Sequence, residues 1–171
     1  MMSKQVQPVG PVVNSTPASH PGPVTLARRF GTVVRLAAAR TAAPLWRVFG
    51  GHDEIWTYIS GHGPFTGEKT FTAWLEGHET QSDPYYFTVH DLYGRALGFL
   101  ALMHIRRPMR VIEIGSIVYS SELQRTPLGT EAQYLLARLC FRGAGLSPLR
   151  MEMRFAQRFV AARRLAFRLR L

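Results

Sequence analysis

The spacing of apolar positions changes several times along this chain, and each change predicts an element. Residues 1–23 hold Pro8, Pro11, Pro17, Pro21 and Pro23 among small and polar side chains. Proline fixes φ and has no N–H to donate, so this stretch predicts an extended, poorly ordered arm. Short β-branched or apolar runs at 24–26 and 32–36 suit a first strand or a hairpin, separated by residues 28–31. Residues 37–49 turn helical, with Pro44 expected in a first turn or at a break, and Gly50 and Gly51 end the run. Phe71, Trp74 and Leu75 have the i, i+3, i+4 spacing of one buried face and predict a helix over 70–77. The period then shortens. Residues 85–90 and 96–103 read as strands joined by a turn at 91–94, and after a turn at 106–110 the β-branched run 111–119 reads as a third strand. Gly115 inside that strand predicts a bulge or a close approach. Ala132, Leu135, Leu136, Leu139 and Cys140 share a face of a helix over 130–140, which Thr130 and Gln133 would open as a capping box.

A chain of 171 residues, 46% apolar, suffices for one domain with a hydrophobic core. Cys140 is the single cysteine, so no intramolecular disulfide forms, and no Cys/His cluster has zinc-ligand spacing. No metal is expected. A reducing cytoplasm fits, and neither a signal peptide nor a run of roughly 20 apolar residues is present, so a soluble protein is expected.

The formal charge of +10 would ordinarily direct attention to nucleic acid or an anionic membrane. Its distribution changes that picture. Residues 142–171 hold eight arginines against Glu152 alone, a balance of +7, whereas the first 141 residues carry only +3. The basic signal therefore belongs to the tail.

Candidate chemistry concentrates in Glu113-Ile-Gly-Ser-Ile-Val-Tyr119 and Gln124-Arg-Thr-Pro-Leu-Gly-Thr-Glu-Ala132. A strand that runs through a short loop into a helix N-terminus can cradle a phosphate, because free N–H groups and the helix dipole both favour an anion there. This stretch resembles the pyrophosphate loop of the GNAT superfamily of N-acetyltransferases, Gln/Arg-x-x-Gly-x-Gly/Ala, which in the Rim-type (ribosomal-protein alanine acetyltransferase) subgroup runs into Thr-Glu-Ala. Gln124 takes the first place, Pro127 that of the first glycine and Gly129 the last, followed by Thr130-Glu131-Ala132. Pro127 departs from the pattern and removes one amide donor. Trp56-Thr-Tyr58 and Gly63-Pro-Phe65 resemble the same subgroup, so the likeness spans most of residues 24–141.

The resemblance implies an α+β fold of mixed α/β content: the acyl-CoA N-acyltransferase fold, a mostly antiparallel sheet flanked by helices, truncated here at its C-terminal end. It implies acetyl-CoA as co-substrate, a primary amine as acceptor (a protein N-terminus or a small amine), and a monomer or homodimer. An amine with a pKa of about 8 to 10.4 is largely protonated at neutral pH and must lose a proton before it attacks. Glu113, on the strand beside the expected thioester, is the candidate base. The backbone of Ile117, Val118 and Tyr119 would pair with the pantetheine arm and supply an oxyanion donor. Gly115 and Ser116 would hold the bulge that splays the strand. Gln124, Arg125, Leu128, Gly129 and Thr130 would grip the diphosphate, and the acceptor would enter near His52, Asp53, Trp56 and Tyr58. Those four also suit packing and turns, and Cys140 suits core packing.

In this family a further strand and a coenzyme-contacting helix follow the phosphate loop. Residues 142–171 carry neither, and they read as a frameshifted version of that part, the alternative being a genuinely divergent tail. Met151-Glu152-Met153 shifted by one base forces Trp and then Lys or Arg, and suitable codons extend the shifted reading toward the subgroup's Asn and Ser-Arg-Arg-Ala. The division expected is thus an arm over 1–23, a GNAT-like domain over 24–141 and a basic tail over 142–171. Without the missing elements the chain is expected to be inactive or impaired. Two other readings remain: a basic module binding nucleic acid or a membrane surface through the tail, with Met151, Phe155, Phe159, Ala162, Ala166 and Leu169 on one helical side, and a non-catalytic GNAT-like domain.

Overall fold

The computed structural model describes residues 16–142. The β-branched and aromatic runs pair into a five-stranded antiparallel sheet whose spatial order follows the chain. Its strands are β1 (Thr25–Ala27), β2 (Gly31–Arg35), β3 (Tyr85–Asp91), β4 (Ala96–Arg106) and β5 (Val111–Tyr119). Helices α1 (Ala38–Phe49) and α2 (Glu68–Glu79) cover one face and α3 (Pro127–Arg142) the other; single 3-10 turns occupy Asp53–Trp56 and Arg107–Met109.

Two apolar clusters hold these layers together. Ala38, Ala42, Leu45 and Phe49 of α1, with Phe71 and Leu75 of α2, pack on Tyr86, Phe99, Ala101 and Val118. Ala132, Leu135, Leu136 and Cys140 of α3 pack on Val33, Phe87, Leu100, Leu102, Ile112 and Ile114. The central strands β3 and β4 are buried on both faces, which is why they read as near-continuous apolar runs. Among the described residues β5 pairs only with β4 and forms a sheet edge.

Two expectations are corrected. Pro44 lies in the middle of α1 and neither opens nor breaks it. The hydrogen bond it forfeits would have gone to the carbonyl of exposed Arg40. Full burial of Leu45 and Phe49 contributes about 2–3 kcal/mol each, enough to offset a proline penalty of about 3 kcal/mol. Helix α3 begins at Pro127, three residues earlier than expected, so Thr130 and Gln133 form no capping box. Thr126 caps it: its Oγ1 accepts from Gly129 N at 3.1 Å and donates to Leu123 O at 2.8 Å. Pro127 then takes the first helical position, where its missing N–H costs least.

The expected arm falls within the described residues only from residue 16, and this part is pinned rather than loose. Ala18 is buried, exchanging hydrogen bonds with Arg107 (Ala18 N to Arg107 O 3.0 Å, Arg107 Nε to Ala18 O 2.8 Å). Arg110 donates to Thr16 O and His20 Nε2 to Ser82 O. The basic tail from 143 onward, with its frameshift reading, lies outside the described residues.

Candidate functional site

Opposite faces of a strand alternate residue by residue, so one inserted residue swaps them. β5 uses this. Ala101 pairs with Gly115 and Phe99 with Val118, leaving Ser116 and Ile117 against Leu100 alone. Ser116 absorbs the extra residue with φ 47°, an uncommon conformation for a side-chain-bearing residue. Before the bulge Ile112 and Ile114 face α3; after it Ile117 and Tyr119 do, and Val118 turns to the α1/α2 face. The bulge expected at Gly115 and Ser116 is therefore present.

Ser116 does not stand alone. Its Oγ lies 3.0 Å from Tyr86 Oη on β3 and 3.2 Å from His62 Nε2 on the loop before α2. His62 stacks on Trp74 (4.7 Å between centroids, 29° between planes) and meets the edge of Trp56. Gly61 and Gly63 flank it in the left-handed region, and a Cβ on Gly63 would collide with the Trp56 ring, so only glycine allows this seat. Burial, then the nearby charge of His78, lowers the His62 pKa from 6.5 to about 4, so the ring is uncharged near neutrality. Burial raises the Tyr86 phenol, against the opposing effect of its bond to Ser116.

A second bulge sits across the pair in β4, where His104 and Ile105 face Ile112 alone. Asp83 closes it, accepting from His104 N and Ile105 N at 2.9 Å each. His104 has φ 52° and its Nδ1 donates to Glu113 Oε2 at 2.8 Å. Glu113, the expected base, is thus engaged by an exposed imidazole, and among the described residues no hydrogen bond links it to the Ser116 chain.

The β5–α3 connection is tight. Tyr119 Oη donates to Gly129 O at 3.0 Å, and Gln124 Nε2 donates to Tyr119 O at 2.9 Å. A Cβ on Gly129 would lie 2.9 Å from Leu123 O, which explains the glycine. Of the first-turn amides of α3, Pro127 has none and Gly129 serves Thr126, which leaves Leu128 without an intrahelical acceptor. Leu128 is buried, its side chain against Gly31. Thr130 N returns to Thr126 O at 3.3 Å, while Arg125 is exposed with φ 60°. Compared with the motif this N-terminus resembles, the cradle offers fewer amides, but the helix dipole and the Arg125 guanidinium still suit a diphosphate. Glu131 serves the fold: 7% exposed, it accepts from Arg29 N (3.3 Å) and Phe30 N (2.8 Å), tying the β1–β2 turn to α3.

The residues expected to admit an acceptor separate. Trp56 is buried against Phe49, Phe65 and Phe99, and reaches the site only through its edge contact with His62. His52 bonds Glu54 at 3.1 Å, while Asp53 and Tyr58 are exposed. Cys140 is buried, and burial pushes its thiol up to about 12. Sequence reasoning missed His62, Tyr86 and the hydroxyl of Ser116 as a group. Among the described residues no group of three or more His, Cys, Asp or Glu is placed to hold a metal ion, and no helix is long and apolar enough to cross a membrane.

Solved acetyltransferases share this fold. A probable acetyltransferase of the GNAT family from Chromobacterium violaceum is 32% identical at TM-score 0.74, over 84% of this chain and 73% of that one. The chain belongs to the GNAT family. A GCN5-related N-acetyltransferase from Brucella melitensis is 29% identical at TM-score 0.74, over 78% of this chain, which spans 61% of its length. A GNAT-family acetyltransferase from Bacillus anthracis, 14% identical at TM-score 0.59 over 72% of this chain and 69% of that one, shares the fold. No protein-family model and no curated protein matches the chain.

Proposed function

We propose that this protein binds acetyl-CoA along β5 and the α3 N-terminus and transfers the acetyl group to a primary amine, a protein N-terminus or a small amine. The observation that carries the reading is the Ser116 bulge in the edge strand leading directly into the capped N-terminus of α3. The bound thioester would supply the activated acetyl group. The chain's own residues do the rest. The backbone of Ile117, Val118 and Tyr119 lines the arm, and Gln124, Arg125, Leu128, Gly129 and Thr130 receive the diphosphate. Glu113, oriented by His104, takes the amine proton. His52, Asp53 and Tyr58 would border the acceptor entrance, with Trp56 as its buried support.

The Rim-type subgroup is the specific assignment, supported by Thr130-Glu131-Ala132, and a reducing cytoplasm is the compartment proposed for a chain whose single cysteine is Cys140. The frameshift of the tail belongs to the same proposal and carries the expectation that acetyl transfer by this chain is lost or impaired while coenzyme binding is kept; coding DNA around Arg142 without a family-like alternative frame would refute it. The competing nucleic-acid or membrane reading rests on the tail and finds no support in the relatives.

Calorimetry of the full chain with acetyl-CoA, alongside a thiol-release assay with small amines and an N-terminal peptide, tests the activity. Binding is expected, and Arg125→Ala should weaken it by roughly tenfold through loss of one charge-assisted contact. No heat of binding for the unmutated chain would refute the reading.

A further inference from the structure

The chain Tyr86–Ser116–His62 is more than amine transfer through Glu113 requires. Three features set it apart from ordinary packing. The serine is the bulge residue itself, held with φ 47° where a side chain is uncommon, and such strain gathers at functional positions. Its hydroxyl bridges a phenol and an imidazole at hydrogen-bond distance on both sides. The imidazole is fixed by the Trp74 face and the Trp56 edge rather than by a carboxylate.

Each of the two bonds can run either way, because both hydroxyls donate or accept and the imidazole has two tautomers. In the tautomer with the ring proton on Nδ1, Tyr86 Oη donates to Ser116 Oγ and Ser116 Oγ donates to His62 Nε2. In that tautomer the serine hydroxyl meets an unprotonated imidazole nitrogen, the arrangement that activates a hydroxyl as a nucleophile.

We propose that Ser116 and His62 form an acyl-accepting dyad, with Tyr86 as its positioning residue, which takes an acetyl group from activated esters and thioesters and releases it to water. Ser116 Oγ forms a bond to the acyl carbon as its proton passes to His62 Nε2. The bond from that carbon to the leaving oxygen or sulfur breaks, and the leaving group takes up the proton. Water then attacks the acyl carbon of the acyl-serine ester, the bond from that carbon to Ser116 Oγ breaks, and Oγ takes one proton of the water while acetate and the other proton leave to solvent. No oxidant, metal or further reactant is needed. Trp56 and Trp74, which contact His62 and pack with Phe65, make the surroundings of the imidazole apolar. The titratable groups around the imidazole are Tyr86 of β3 and His78 of α2, and neither is an acid that would raise its basicity. Acylation should therefore be flat across neutral pH and fall only toward pH about 4, where His62 protonates.

For acetyl-CoA as donor the proposal rests on the coenzyme reading; for a simple ester it stands alone. The full chain is incubated separately with p-nitrophenyl acetate and with acetyl-CoA, and the acetyl group is located by peptide mass spectrometry. The expected result is acetyl on Ser116 from the nitrophenyl ester, its absence in Ser116→Ala, and labelling slowed on the order of a hundredfold in His62→Gln. Tyr86→Phe should slow labelling less and keep the flat pH profile. Labelling by the nitrophenyl ester with no binding of acetyl-CoA supports the dyad and removes the coenzyme reading. Coenzyme binding with no acetyl on Ser116 from either donor overturns the dyad and leaves the coenzyme reading standing. Equal labelling rates in the chain and in His62→Gln also overturn it. Mapping in the unsubstituted chain answers the question even if a variant fails to fold.

Discussion

Glu131 shows how a single residue in a family-like motif can belong to the fold rather than the chemistry. A carboxylate 7% exposed must be compensated, and here two backbone amides of the β1–β2 turn do so, with Arg28 Nε 4.0 Å away. Glu131→Ala strands both amides beside α3. A loss of about 2–3 kcal/mol is expected, because hydrogen bonds to a charged group are worth about 1.5–3 kcal/mol and orphaned donors keep their desolvation cost. Glu131→Gln retains one acceptor oxygen and should fall between the two in urea midpoint. Identical midpoints for all three would show that the carboxylate contributes nothing.

Elements carry their own tension, and α1 holds the clearest. Pro44 sits where a helix loses about 3 kcal/mol relative to alanine, and the helix persists because one face is buried against the sheet. Replacing half-buried Pro44 with alanine restores the bond to Arg40 O and gives up about 1 kcal/mol of ring packing. Pro44→Ala should therefore stabilise the protein by about 1–2 kcal/mol in thermal or urea unfolding, and a destabilised variant would mean the ring packs better than its exposure indicates. The same helix marks what spacing in a sequence can convey. Strands, helix faces and the Ser116 bulge were legible because period and β-branching are local properties. The proline outcome was not, since it depends on Leu45 and Phe49 meeting a sheet formed more than thirty residues later. The start of α3 differs from its sequence expectation for another reason. Thr130 and Gln133 imitate a capping box, while the true signal was a threonine directly before a proline.

At the scale of the whole molecule, the two sheet faces divide the labour. α3 anchors the loop below the edge strand, and the α1/α2 face supplies the aromatic wall behind His62. The group at their junction was invisible in sequence because Ser116 lies 30 residues from Tyr86 and 54 from His62, with no spacing to connect them. That junction also ties global stability to pH. Unfolded, His62 should titrate at its ordinary value near 6.5; folded, burial and the charge of His78 hold it near 4. Between those values the unfolded chain binds the extra proton, so stability is full above about pH 6.5, declines as the pH falls, and levels off near 4. Linkage over the whole gap would amount to about 3.4 kcal/mol, and partial exposure of the ring reduces this to about 1–2 kcal/mol. Urea unfolding of the chain and of His62→Gln at pH 7 and pH 4.5 isolates the effect, because carboxylates that titrate in the same window are common to both proteins and cancel in the difference. The unsubstituted chain should lose about 1–2 kcal/mol more than the variant on acidification. Parallel losses would place the imidazole in solvent, and with it would go the fixed, uncharged partner that Ser116 needs.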